Sequence, residues 1–201
     1  MVIFMLHSLA SAVANYFFDK NDKYPIDIYI YGIELVISSV VGTSLIILTG
    51  ILTHTFIECL IYIVVFSFIR IYTGGYHCMT YLKCNIVTII SYILVFLSLR
   101  FFGSIFANPF IMFGGFALTI LLAIFFAPVK HENKELTISE KKKYKILSVV
   151  MITLFYSVST ILYYVFDVKQ TLIIFPTCIT IDIAMLISII KNIYISRRIS
   201  Q

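Results

Sequence analysis

The sequence predicts an all-α polytopic membrane protein, a single integral membrane domain over residues 1–201. Three observations predict it. The chain is 61% hydrophobic with a mean hydropathy of +1.02, whereas a soluble domain is about 45–50% apolar. Only 12% of its residues are charged, about half the usual share of roughly 25%. Runs such as "IELVISSVVGTSLIILTGIL" reach the roughly 20 apolar residues that cross a bilayer as a helix. Lipid offers no partner to backbone polar groups, so each run must bond within itself as a helix. The longest polar stretch, "KHENKELTISEKKKYK", is a loop and not a fold.

Residues 1–20 open the chain as an amphipathic helix lying in the membrane interface. His7, Ser8, Ser11, Asn15 and Asp19 recur at helical spacing as one polar stripe, and Val2, Leu6, Leu9, Val13, Tyr16 and Phe17 form the apolar face. A cleavable signal peptide fits less well, because no Lys or Arg precedes the apolar stretch and His7 interrupts it. Six hydrophobic segments follow, over 33–53, 57–70, 86–104, 109–128, 146–166 and 171–190. The second is short and interrupted by Glu58. Gly103, Asn108 and Pro109 mark a turn between the third and fourth. Thr137 and Glu140 form a capping box that starts a helix inside the polar loop and feeds the fifth span. The short break "FDVKQ" precedes the sixth.

The net charge of +5 does not point to nucleic acid. The cations sit beside apolar segments, where positive charge marks the cytoplasmic face. With both termini cytoplasmic, all of the fifteen Lys and Arg except Arg100 and Lys169 fall inside. That orientation places the segment 70–85 and the basic loop 129–145 on the cytoplasmic face.

The segment "RIYTGGYHCMTYLKCN" concentrates reactive side chains between two apolar runs. Cys59 and Cys178 lie within apolar runs and read as small buried hydrophobes. No CxxC pair or disulfide framework is present. A nucleophilic thiol needs a base, an environment favouring thiolate and access to substrate. Cys84 has Lys83 beside it and His77 seven residues before it. Along one straight helix these two would stand about 10 Å apart, beyond the 2.6–3.2 Å or so of a general-base hydrogen bond. A dyad therefore requires a break, and Gly74 and Gly75 supply the backbone freedom for one. Cys78 is a rival thiol, although its adjacency to His77 makes the two side chains diverge. His77, Cys78 and Cys84 also offer three zinc ligands, but a structural site wants four, so neither a metal nor another cofactor is expected. Spacing alone favours a plainer reading, with an interfacial histidine and a buried thiol.

The residues "RIYTGGYHCMTYLKC" resemble the accessory gene regulator B (AgrB) family of membrane cysteine peptidases that process quorum-sensing pro-peptides. The family's arginine, Gly-Gly-x-His and cysteine seven residues beyond are met by Arg70, Gly74, Gly75, His77 and Cys84. "FFAPVKHENKEL", with Pro128, resembles the family's Ala-Pro-Val segment entering a polar loop. Cys78 departs from the pattern, standing where a small residue is expected. The resemblance implies Cys84 as nucleophile and His77 as general base. It implies an AgrD-like precursor peptide as substrate, cut at its acidic C-terminal tail through an acyl-enzyme and closed to a thiolactone or lactone ring. A homodimer is also implied. Lys141, Lys142, Lys143 and Lys145 mark inside topology and are placed to attract an acidic tail. Arg70 pairs with a carboxylate or anchors the membrane edge. Asp182, deep in the sixth segment, is a functional candidate because intramembrane acids are costly. A peptide exporter or a non-enzymatic scaffold are the competing functions; few polar residues line the spans, which weakens the first.

Overall fold

The computed structural model describes residues 2–18, 25–74, 80–129 and 136–199, with side chains from residue 7 to residue 194. All regular structure among them is helical. The elements are α1 (Val2–Phe17), α2 (Ile26–Leu52), α3 (Phe56–Thr73), α4 (Tyr81–Phe106), α5 (Pro109–Phe126), α6 (Ile138–Tyr164), a short 3-10 turn (Lys169–Ile173) and α7 (Ile174–Ile199). Six helices, α2 to α7, are long and apolar enough to cross a membrane, as the sequence predicts.

The helices outrun the apolar segments that announce them. α2 begins at Ile26 and α4 at Tyr81, several residues before the hydropathy rises, because a polar first turn is still helical. At α6 the capping box forms as expected. The Thr137 N–H donates to Glu140 Oε2 at 2.8 Å, and the Glu140 N–H donates to Thr137 Oγ1 at 3.3 Å. One expectation is corrected. Gly103 does not turn the chain; α4 runs through it to Phe106, and the turn is made by Ala107 and Asn108. Asn108 caps α5 by accepting from the Phe110 N–H at 3.0 Å, with Pro109 in the first helical position, where its missing N–H costs nothing. Glu58 does not interrupt α3 but sits in its first turn.

The chain forms two compact units. One comprises residues 1–49 with 78–90, and the other residues 50–77 with 91–201. In the larger unit α3 and α5 each pack on both α6 and α7, and the 3-10 turn fits against α3, α6 and α7. Every residue from Thr171 to Cys178 is buried, so the start of α7 is the centre of this unit. Gly115 of α5 lets the Phe175 ring lie against its backbone, where a Cβ would collide with that ring. Phe175 also meets Phe106 and Tyr156. Cys59 and Cys178 are fully buried, as their apolar settings predict.

Polar groups inside the larger unit are mostly satisfied locally. Thr160, Thr177 and Thr180 donate to the carbonyl four residues back, which removes a free donor from an apolar surrounding. Asp182 is 5% exposed and accepts from Thr119 Oγ1 of α5 at 2.7 Å, an interhelical pair of the kind that contributes only about 0.6 kcal/mol in a membrane. Packing of the α7 start, not this bond, therefore dominates the docking of α7.

The smaller unit joins α1, most of α2 and the first turns of α4. α1 is a helix, but its exposed side does not separate polar from apolar residues. Leu9, Tyr16 and Phe17 are exposed beside Ser8 and Asn15, while Ala10 and Ala14 are buried. Among the described residues, His7 Nδ1 meets Glu34 Oε1 of α2 at 2.7 Å, and the Phe18 ring just after α1 stacks on Tyr29 with centroids 3.9 Å apart.

Candidate active site

The predicted break after α3 is present. Gly74 ends α3 with φ +72° and ψ −162°, and its N–H returns to the Arg70 carbonyl at 3.0 Å. That conformation is essentially closed to residues with a Cβ. A Cβ at Gly74 would also stand 3.0 Å from the Val129 carbonyl oxygen and 3.2 Å from its nitrogen. The closeness has a cause: the Val129 N–H donates to the Thr73 carbonyl at 3.0 Å. The stretches around 70–85 and 125–136, far apart in sequence, thus meet at the end of α3. Thr73 is fully buried there and donates its hydroxyl to the Ile69 carbonyl at 3.0 Å.

Other predicted residues gather around the same end of the larger unit. Arg70, half-buried in the last turn of α3, holds its guanidinium over the Phe66 ring, 5.2 Å from the centroid. A guanidinium at that range gains from the ring quadrupole. Tyr72 meets Tyr144 of α6 with ring centroids 5.9 Å apart, which brings the first turns of α6 beside the end of α3. Lys141, Lys142 and Lys143 lie in those turns and are exposed, while Lys145 is half-buried. The remaining lysines of the basic loop, Lys130 and Lys134, fall outside the described residues.

Cys84 belongs to the smaller unit. Thr80 opens α4: its hydroxyl accepts from the Lys83 N–H at 3.4 Å, and its carbonyl accepts from the Cys84 N–H at 3.1 Å. Cys84 is therefore in the first helical turn, with a free, half-buried thiol. The N–H groups of Tyr81 and Leu82 open the helix near this cysteine and have no acceptor within it. Gly75, His77 and Cys78 lie outside the described residues, and with them the pairing of His77 with Cys84 and the zinc reading.

Sequence reasoning missed the polar contacts that hold the start of α4. The Tyr81 hydroxyl donates to Glu34 Oε2 of α2 at 3.1 Å. Asn85 Nδ2 donates to both the carbonyl and the hydroxyl oxygen of Ser38, at 3.2 and 3.3 Å. The spacing carried a signal: Glu34 and Ser38 stand four apart in α2, and Tyr81 and Asn85 four apart in α4, so each pair shares a helix face.

These features define a multi-pass membrane protein with a thiol in a helix's first turn and a glycine-terminated helix ahead of it. The chain belongs to the accessory gene regulator B family, whose model matches residues 10–194. The family takes part in processing quorum-sensing peptides. A relative from Clostridium beijerinckii, named as an AgrB-like protein, is 33% identical over 93 residues, covering 44% of this chain and 45% of the relative. The alignment thus spans less than half the length of that relative. No solved structure matches the chain.

Proposed function

We propose that this protein is a membrane cysteine endopeptidase that removes the C-terminal tail of an AgrD-like precursor peptide and lets the remainder close into a ring. In this reading Cys84 Sγ attacks the carbonyl carbon of the scissile peptide bond and His77 takes the thiol proton. The C–N bond breaks, and His77 returns the proton to the departing amine of the tail. The acyl group now sits on Cys84 as a thioester. A thiol or hydroxyl of the precursor attacks that thioester, its proton passes to the departing Cys84 sulfur, and a thiolactone or lactone forms. Exchange of one thioester for another is nearly isoenergetic, so water must be kept from the acyl group. A helix start at the edge of the apolar span "IVTIISYILVFL" suits that need. The N–H groups of Tyr81 and Leu82 are candidate donors to the oxyanion of each tetrahedral intermediate.

The observation that carries the reading is the end of α3 at Gly74 together with a separate helix start at Tyr81. α3 ends at Thr73 and α4 begins only at Tyr81, so no single helix carries Gly74 through to Cys84, which supports a dyad. The lysines at 141–143 complete the reading as a basic surface for an acidic tail. Both termini and the segment 70–85 face the cytoplasm, α1 lies in the membrane interface, and two copies associate.

The test uses membranes containing the full chain and a candidate precursor, with products weighed by mass spectrometry. Cleavage is expected to vanish with Cys84→Ala and survive Cys78→Ala. Replacing Lys141, Lys142, Lys143 and Lys145 together by Gln is expected to raise KM severalfold and flatten its salt dependence. Cleavage that persists without Cys84 would move the nucleophile elsewhere and favour the exporter or scaffold readings. An unchanged KM and salt response in the lysine variant would remove the tail-binding role.

A further inference from the structure

Cys84 stands on a turn of α4 that is anchored on both sides. Tyr81, three residues before it, bonds to Glu34; Asn85, the next residue, bonds to Ser38. Both partners lie on one face of α2, and that face continues to Gly42. A Cβ at Gly42 would come within 2.8 Å of Asn85 Oδ1, so the α2 backbone approaches Asn85 closely. Glu34 has a second ligand. Its other carboxylate oxygen meets His7 Nδ1 of α1 at 2.7 Å. The Glu34 side chain is only 14% exposed. One carboxylate therefore spends its two oxygens on two different helices and fastens both to α2.

From this geometry we infer that Glu34 is a positioning residue: with Tyr81 and His7 it fixes the first turn of α4, and hence Cys84, against α1 and α2. The inference rests on Cys84 being the nucleophile. It has a physical motive. The first turn of a helix frays unless it is held, and the Thr80 cap at 3.4 Å is a long hydrogen bond. A nucleophile must be kept within a fraction of an ångström of its working place, since a displacement of about 1 Å can cost about a hundredfold in rate. The Tyr81–Glu34 bond supplies what the cap does not. It also makes α1 part of the site, although α1 contributes no reacting atom.

The test reads placement and turnover separately. In the full chain carrying Cys78→Ala, with Cys59 and Cys178 buried, Cys84 is the accessible thiol. Its alkylation rate by a hydrophilic maleimide is measured in detergent for the parent, Glu34→Ala, Glu34→Gln and Tyr81→Phe. Glu34→Ala is expected to speed labelling by about threefold or more as the turn opens. Glu34→Gln, which still accepts from Tyr81, is expected to stay near the parent. Tyr81→Phe, which loses one hydroxyl and keeps the ring, is expected to behave as Glu34→Ala does.

In the precursor assay the same ranking is expected in kcat, with a loss of about tenfold or more for Glu34→Ala and little change in KM. Unchanged labelling in both Glu34→Ala and Tyr81→Phe would overturn the inference, even if kcat fell, because Glu34 would then act in some other way. Faster labelling with undiminished kcat would overturn it too. Cleavage that survives Cys84→Ala would instead defeat the assignment of the nucleophile. The labelling arm needs no precursor, so the two failures are distinguishable.

Discussion

Serine in place of Cys84 is expected to leave the protein folded in the membrane and to lower precursor cleavage by more than about a thousandfold, the scale of loss seen when a covalent nucleophile is removed. The change is small in volume and leaves the main chain alone. The Thr88 hydroxyl bonds to the backbone carbonyl of residue 84 at 2.9 Å, and the Thr80 carbonyl bonds to its N–H. Neither bond needs sulfur. On the proposed reading, the substitution removes a nucleophile that ionises far more readily than an alcohol and forms a thioester, which a substrate thiol can exchange. An ester on serine would be a poorer acyl donor to that thiol. Mass spectrometry of precursor after incubation with membranes measures the loss, and equal thermal unfolding of the two chains in detergent excludes a folding defect. A serine variant that cleaves within about tenfold of the parent would exclude thiol chemistry at this position.

Gly74→Ala is expected to be strongly damaging. The backbone there occupies a region that costs a residue with a Cβ about 1–3 kcal/mol. The added carbon would press on the Val129 carbonyl and amide, and these are backbone atoms that cannot rotate away. Relief requires either a different end to α3 or loss of the Val129 to Thr73 hydrogen bond. Both disturb the place where the end of α3 meets Val129. A clear drop in unfolding temperature and a parallel loss of cleavage are expected. Gly103→Ala is the control: α4 is regular there, the nearest atom to an added Cβ is Leu99 Cδ1 at 4.0 Å, and alanine in a helix interior gains about 0.5–1 kcal/mol over glycine. If Gly74→Ala unfolds no earlier than Gly103→Ala, the backbone at residue 74 is not the constraint described.

Much of this architecture was legible because a membrane simplifies the code. Hydropathy alone located α2 to α7, since a span must be apolar along its whole length and helical throughout. The capping box at Thr137 and the break at Gly74 were legible because both are local: a cap needs residues three apart, and a left-handed backbone needs glycine. Gly103 misled because a glycine that would argue for a turn in a soluble chain is common within a membrane helix. The starts of α2 and α4 were placed too late because hydropathy reports where lipid begins, not where the helix does. Glu34 was not legible as part of the site. Its partners are 27 and 47 residues away, and its own neighbours in sequence are ordinary for a span. His77 and Cys84 were singled out by the family resemblance, not by spacing, which by itself favoured an interfacial histidine and a buried thiol.

The burial of the start of α7 has a consequence for how the protein is made. Chains are synthesised from the N-terminus, and domains assemble as they emerge. α3, α5 and α6 all precede α7, yet residues 171–178 supply the centre against which they pack. The faces of those helices that pack on α7 therefore have no protein partner until α7 is made, and Gly115 waits for the Phe175 ring. α3 and α5 can meet α6 before α7 is made, but the buried centre of the unit is missing until residues 171–178 are in place.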